Sequence, residues 1–250
     1  MSGHSKWSSI KHKKGAADAK RGQLFTKLAR AIQVAARDGG VDPAGNAALA
    51  TAVQKARDAS MPKDNIERAI AKGAGNDADA AAWETAVYEG YAPGGVAVLV
   101  EALTDNRNRT GSEVRHLFGR HGGSLGEPGS VAWNFDKKGV VLADAERHSE
   151  EDLIVAIDAG AEDLTRDENV WEIVTAPGDL QAVRDALADA GVEIQSADLT
   201  MRPQSRIEVQ EGQVARVLRL LEVLEDQDDV TAVHANFDID AATLEKLAPA

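Results

Sequence analysis

Apolar positions recur at helical spacing from residue 18 to about 38, and the same spacing returns twice more before residue 75. In the first stretch Leu24, Leu28, Ala31 and Ala35 share one face, with Phe25 and Ile32 beside them. Gln23, Lys27, Arg30 and Arg37 fall on the opposite side, and Gly39-Gly40 closes the helix. A second helix is predicted from Asp42-Pro43, an acid at the cap followed by proline at the first helical position, with Leu49, Val53 and Ala56 turned inward. Pro62 opens a third helix that buries Ile66 and Ile70 and ends at Gly73 and Gly75. Three short helices with small connections make a bundle, and GNDADAAA behind them reads as a linker.

From Trp83 the period changes. Strands are predicted near 86–91 and 95–103, then a helix near 108–121 whose cap is Asn106 or Asn108. Strands near 130–136 and 138–144 are separated by a predicted turn at Asp136-Lys137-Lys138-Gly139. A helix near 149–160, a strand at 169–175, a helix at 178–190 and a strand at 193–202 follow, with the EDLTRD segment as a further short strand. Pro203 breaks the pattern before a strand near 205–210, a helix near 212–225 and a last strand near 230–237. From 138 to 202 the order is that of the split βαβ, or ferredoxin-like, fold. The expected fold class is therefore α+β and multi-domain: a basic arm and three-helix bundle over 1–76, then two α+β domains of ferredoxin-like type, one discontinuous from 83–136 with 203–240 and one inserted over 137–202.

Charge sharpens this picture. The formal net charge is −13, yet residues 1–75 carry 14 Lys/Arg against 6 Asp/Glu, so the acidity lies almost wholly in the α+β part. From Gly3 to Ile32 the cations are Lys6, Lys11, Lys13, Lys14, Lys20, Arg21, Lys27 and Arg30, and Asp18 is the only acid. Solvated helix faces usually mix both signs, so a one-sided segment points to a polyanion partner approached basic end first. Residues 1–17 show no apolar period and read as an arm that orders on a partner. Trp7 among its lysines suits stacking on a base. The acidic domains would face away from nucleic acid or toward a protein partner.

Candidate chemistry is sparse. There is no cysteine, which excludes disulfides, thiol nucleophiles and thiolate metal sites. No Gly-x-Ser-x-Gly elbow or His-Glu-x-x-His pair occurs. His116 and His121 are about 140° apart on a helix and share no metal face. The run Glu225-Asp226-Gln227-Asp228-Asp229 could imitate the divalent-metal site of a nuclease. Its other reading is a solvated helix-to-strand turn. Gly90-Tyr91-Ala92-Pro93-Gly94-Gly95 precedes a strand, so it reads as a hairpin turn and not a phosphate cradle. In TDNRNRT, Asn106 and Asn108 can cap a helix, while Arg107 and Arg109 exceed what capping requires and point to an anion contact. No zinc finger or aromatic RNA-binding strand is visible. No apolar run exceeds five residues, as at Val96–Val100, and no apolar core follows the N-terminal lysines, so neither a membrane partner nor a signal peptide is expected and the cytoplasm is the expected location.

GHSKWSSIKHKKGAADAKRGQLFTKL, MPKDNIERAIAKG and YEGYAPGGVAVLVEALTDNRNRT together resemble the YebC family, over essentially the whole chain. That family includes PmpR-type regulators and the mitochondrial translational activator of cytochrome oxidase. The resemblance implies a helical bundle and two α+β domains, one discontinuous, with no enzymatic activity and no cofactor. It also implies a DNA-binding transcriptional regulator, or alternatively a translation factor that binds rRNA or tRNA on the ribosome, including at stalled proline-rich synthesis. Lys6, Trp7, Lys11, Lys13, Lys14, Lys20, Arg21, Lys27 and Arg30, with Asn106, Arg107, Asn108 and Arg109, are the residues expected to meet nucleic acid.

Overall fold

Leu28, Ile32 and Ala36 are the side chains that the first helix buries most fully. The computed structural model describes residues 18–75, 83–167 and 169–239, the side chains of 18–20 excepted. Helix α1 spans Asp18–Gly39, α2 Ala47–Asp58 and α3 Lys63–Ala74. They close on a core that also holds Leu49, Val53, Ala56, Met61 and Ile66. The buried face of α2 is the one its spacing predicts. On α1 the stripe is displaced: Leu24, expected inside, is 40% exposed. A row of i, i+4 positions drifts about 40° per step on a 3.6-residue helix, so Leu24 lies about 120° round from Ala36.

The second helix begins later than Asp42-Pro43 predicts. Asp42 Oδ1 accepts a hydrogen bond from Ala44 N and forms a turn instead. Asn46 is the N-cap, its Oδ1 accepting from Leu49 N at 3.0 Å. Its Nδ2 donates to Ala35 O and Gly40 O at 2.7 and 2.8 Å. This buried amide therefore fastens the end of α1 to the start of α2. Gly39 must be a glycine here, since a Cβ would stand 2.6 Å from the Asn46 side chain.

Strands β1 (Glu84–Tyr91) and β2 (Ala97–Thr104) form a hairpin, closed by a Pro93–Gly95 turn in which Gly94 and Gly95 have φ of 82° and 78°. Helix α4 (Arg107–Arg120) and the short β3 (Ser124–Leu125) follow. The chain then enters β4 (Phe135–Asp144), α5 (Glu150–Asp158), β5 (Ala161–Asp167), β6 (Val170–Thr175), α6 (Leu180–Asp189) and β7 (Ile194–Pro203). It ends in β8 (Ile207–Glu208), α7 (Glu211–Glu225), β9 (Val230–Ala235) and β10 (Phe237–Asp238). One sheet has the order β3-β1-β2-β9, so its last strand comes from the far end of the chain. Val98 and Val100 of β2 pack there against Phe118 of α4 and Leu220, Leu221 and Leu224 of α7. The other sheet, β5-β6-β4-β7, has the ferredoxin-like order and packs Val141 and Ile173 on Leu153 of α5 and Leu187 of α6. The fold is thus α+β and multi-domain: a three-helix bundle, then two α+β sheets with one interrupting the other.

Two predicted boundaries are corrected. Asp136–Gly139 is not a turn but part of the first half of β4, each residue paired with β7 from Arg202 to Leu199. Gly139 serves close packing rather than chain reversal, because a Cβ there would meet Leu180 Cβ at 2.9 Å. The predicted strand at 205–210 shrinks to two residues, which pair in parallel with β10. Asn236 divides β9 from β10 and accepts from Ala97 N at 2.7 Å.

Replacing Asn46 by Ala removes a cap and orphans two carbonyls. A loss of about 2 kcal/mol is expected in the urea unfolding of the bundle, together with faster hydrogen exchange at Leu49 N. An unchanged midpoint would show that the cap does not hold the bundle.

Candidate functional site

Part of the polar side of α1 is turned onto the rest of the chain, while Arg21 and Arg37 stay exposed. Gln23, Lys27 and Arg30 recur at one-turn spacing and meet the turn between α7 and β9. Lys27 Nζ donates to Glu225 O and Gln227 O, both at 2.6 Å. Those carbonyls lie at and just past the end of α7, where the helix supplies no N–H partners and its dipole favours a cation. Gln23 Nε2 donates to Asp226 O and Asp228 Oδ1 at 2.6 and 2.8 Å, and Arg30 donates to Asp228 O at 3.1 Å. Burial lowers the Lys27 pKa to about 8, with a smaller push from Arg30, against the opposing pull of Asp228 and Asp226.

Asp229 ends this turn and is the hub of the site. Its side chain is 5% exposed and accepts from Arg109 at 2.8 Å and Thr110 Oγ1 at 2.7 Å, with Arg30 at 3.7 Å. Burial pushes its pKa up, but the hydrogen bonds from Arg109 and Thr110 outweigh that and hold it below the usual carboxylate range. Arg109 also holds Asp105 at 2.8 Å, and Asn106 caps α4 by accepting from Arg109 N. The helix N-terminus therefore has its anion, and that anion belongs to the chain itself.

The expected contact residues separate accordingly. Lys6, Trp7, Lys11, Lys13 and Lys14 lie outside the described residues, and Lys20 is in α1 with its side chain undescribed. Arg21 is exposed on the same helix. Lys27 and Arg30, expected on a free face, are held internally. Arg107 stands 3.8 Å from Glu84, Asn108 is exposed in the first turn of α4, and Arg109 is bound to Asp105 and Asp229. The acidic run 225–229 forms the helix-to-strand turn its sequence suggests, with Asp226 and Asp228 exposed, and it is also the seat of α1. Among the described residues no group of His, Cys, Asp and Glu is arranged to hold a metal.

Sequence reasoning missed Trp83, whose ring lies under the Arg30 guanidinium at 4.6 Å, and whose carbonyl accepts from Arg37 at 3.1 Å. It also missed the seam to the inserted sheet. There Arg184 of α6 holds Asp58 of α2 through two nitrogens at 2.9 and 3.1 Å, and Lys55 lies 3.4 Å from Asp198. Each partner sits more than 120 residues away, beyond the reach of any local pattern.

A cationic helical bundle seated on the acidic turn 225–229 of one α+β sheet, and joined by ion pairs to a second α+β unit inserted into the first, defines the class of protein. Residues 5–76 match the model of the TACO1/YebC protein N-terminal domain, and residues 83–237 that of the TACO1/YebC second and third domain. The chain belongs to the TACO1/YebC family. It is 54% identical over 249 residues to a protein of Rubrobacter xylanophilus, covering 99% of this chain and 100% of that one. It is 55% identical over 245 residues to one of Acidothermus cellulolyticus, covering 98% and 99%. Both carry the name probable transcriptional regulatory protein. The crystal structure of Aq1575, a conserved hypothetical protein from Aquifex aeolicus, superposes with a TM-score of 0.79 at 49% identity, over 89% of this chain and 92% of that one.

Asp229→Ala leaves Arg109 and Thr110 without their acceptor. It should cost about 2 kcal/mol in equilibrium unfolding and unprotect the first turn of α4 in hydrogen exchange. Lys27, followed by ¹³Cε NMR, should titrate near pH 8. The folded value lies below the unfolded one, so Lys27 opposes folding below pH 8, and that cost lifts as pH rises through 8 toward 10.5. An ordinary lysine midpoint would mean that α1 is not seated on α7 in solution.

Proposed function

We propose that the protein is a non-enzymatic regulator of gene expression that acts by binding nucleic acid through its basic N-terminal segment. The observation that carries this reading is the charge of residues 3–32, eight Lys/Arg against one acid in a chain of net charge −13. Lys6, Lys11, Lys13, Lys14 and Lys20, with Arg21 beside them, neutralise phosphates, and Trp7 stacks or wedges among them. Arg107 and Asn108 at the start of α4 add a second contact. Lys27, Arg30 and Arg109 position the turn 225–229 and leave the phosphate count. The names of the bacterial relatives support a transcriptional regulator, and DNA is the target we assign to that reading.

A second reading, RNA of the ribosome or tRNA as the target, is favoured by one feature. Lys27 and Arg30, at the middle of the cationic face of α1, are turned onto the end of α7, so this helix does not offer a continuous basic side to a major groove as a recognition helix must. A sequence-reading protein should prefer its own duplex by at least ~10³ over others. A translation factor should instead travel with ribosomes and show little preference among duplexes.

With five or six phosphates engaged, log affinity should fall against log salt with a slope of about −4 to −5. Anisotropy titrations of the wild type and of a K11E/K13E/K14E variant, beside sucrose-gradient sedimentation of a lysate, test both points. A flat salt response would remove the reading. Loss of ribosome co-sedimentation in the variant would select RNA, whereas a wild type that stays at the top and shifts one duplex would select DNA.

A further inference from the structure

Between α1, α3 and Trp83, the residue just ahead of β1, lies a groove of about 470 Å³ that the seating of α1 on α7 does not use. Its size falls within the ~300–1,000 Å³ of small-ligand sites. Phe25, Met61 and Trp83 give it an apolar and aromatic lining, and Gln33 and Asn65 add two amides. Arg30, Arg68 and Lys72 supply three cations, and no acidic residue lines it. In a chain of net charge −13, a groove with three cations and no acid fits an anionic occupant. Arg68 and Lys72 are exposed and four residues apart, one turn along the outer side of α3. Neighbouring Lys63, by contrast, is paired with Glu67. Arg30 is held from behind by Asp228 O and by Asp229, which fixes its guanidinium over the Trp83 ring.

An aromatic ring backed by a fixed guanidinium, two amides able to meet base edges and a pair of cations a turn apart are the parts with which proteins take single-stranded nucleic acid. We propose that this groove holds one unpaired nucleotide, its base against Trp83 and Phe25 and its phosphate between Arg68 and Lys72. A base stacked inside a duplex cannot enter, so the groove selects single-stranded or splayed segments. The proposal rests on the nucleic-acid reading above and names the form of nucleic acid which that reading leaves open.

The test uses the full chain with fluorescein-labelled U12, dT12 and a blunt 20-base-pair duplex at one fixed salt concentration. The wild type should bind a 12-mer more tightly than the duplex. R68A/K72A alters two exposed side chains and should weaken the 12-mer about tenfold while changing the duplex less than about twofold. Trp83→Leu should also cost about tenfold or more on the 12-mer, in keeping with loss of one stacked base. Photo-crosslinking of wild-type protein to a 4-thiouridine oligomer, mapped by mass spectrometry, should place the adduct on the peptides carrying Phe25 or Trp83, and this readout requires no variant to fold. Equal affinities for U12 and dT12 would mark the base and phosphate as the recognised groups, and a preference for U12 would mark RNA. The proposal is overturned if R68A/K72A weakens duplex and 12-mer alike, if crosslinks map elsewhere, or if an oligo-glutamate peptide displaces the 12-mer at matched affinity. In those cases nucleic-acid binding itself still stands. A wild type that binds none of the three probes removes the broader reading and the groove with it.

Discussion

Lys27 places an ammonium against two backbone carbonyls at the end of α7, and beside it the Asp229 carboxylate gathers Arg109, Thr110 and Arg30. This junction orients the helical bundle on the first sheet. It also completes the start of α4, because the anion that a helix N-terminus attracts is Asp229 itself. Leu103 N donates to Asp229 O at 2.7 Å, so the end of β2 is tied in as well. A helix, the end of a central strand and a second helix thus share one turn of five residues.

Charge has a double office in this chain. Part of the positive excess of residues 1–75 is answered internally, by the turn 225–229 and by Asp198, while the acid Asp58 of the bundle is answered by Arg184 of the inserted sheet. Such partly exposed pairs add little stability singly, about 0–1 kcal/mol. Their weight lies in direction: complementary signs on both seams fix which faces of the bundle are covered and which stay open. The arm lysines have no comparable acid within their own segment, and the groove over α3 is left cationic.

What the sequence revealed depended on range. Leu49, Val53 and Ala56 could be read because α2 is short and one-sided, so the stripe cannot drift. The ferredoxin-like order was legible for the same reason, since its turns and caps are local. Leu24 misled because a row of apolar positions along a 22-residue helix turns away from the core. Gly139 misled because glycine marks both reversals and tight packing, and only the neighbouring helix α6 tells them apart. The site was the least legible part. A basic helix face looks the same whether its partner is a phosphate or a carboxylate two hundred residues on, and nothing in the spacing of Lys27 and Arg30 announces Asp228 and Asp229.

The place of β9 in the first sheet carries a consequence for synthesis. Strand β2 is paired on one side by β1, but its other neighbour, β9, begins at Val230. A ribosome adding about 5–20 residues per second emits β9 on the order of ten seconds after β2, once the whole inserted sheet has passed. Throughout that interval β2 carries an open edge, and the turn that will receive α1 does not yet exist. The nascent chain therefore displays the Lys27–Arg30 face uncovered until the turn 225–229 has emerged.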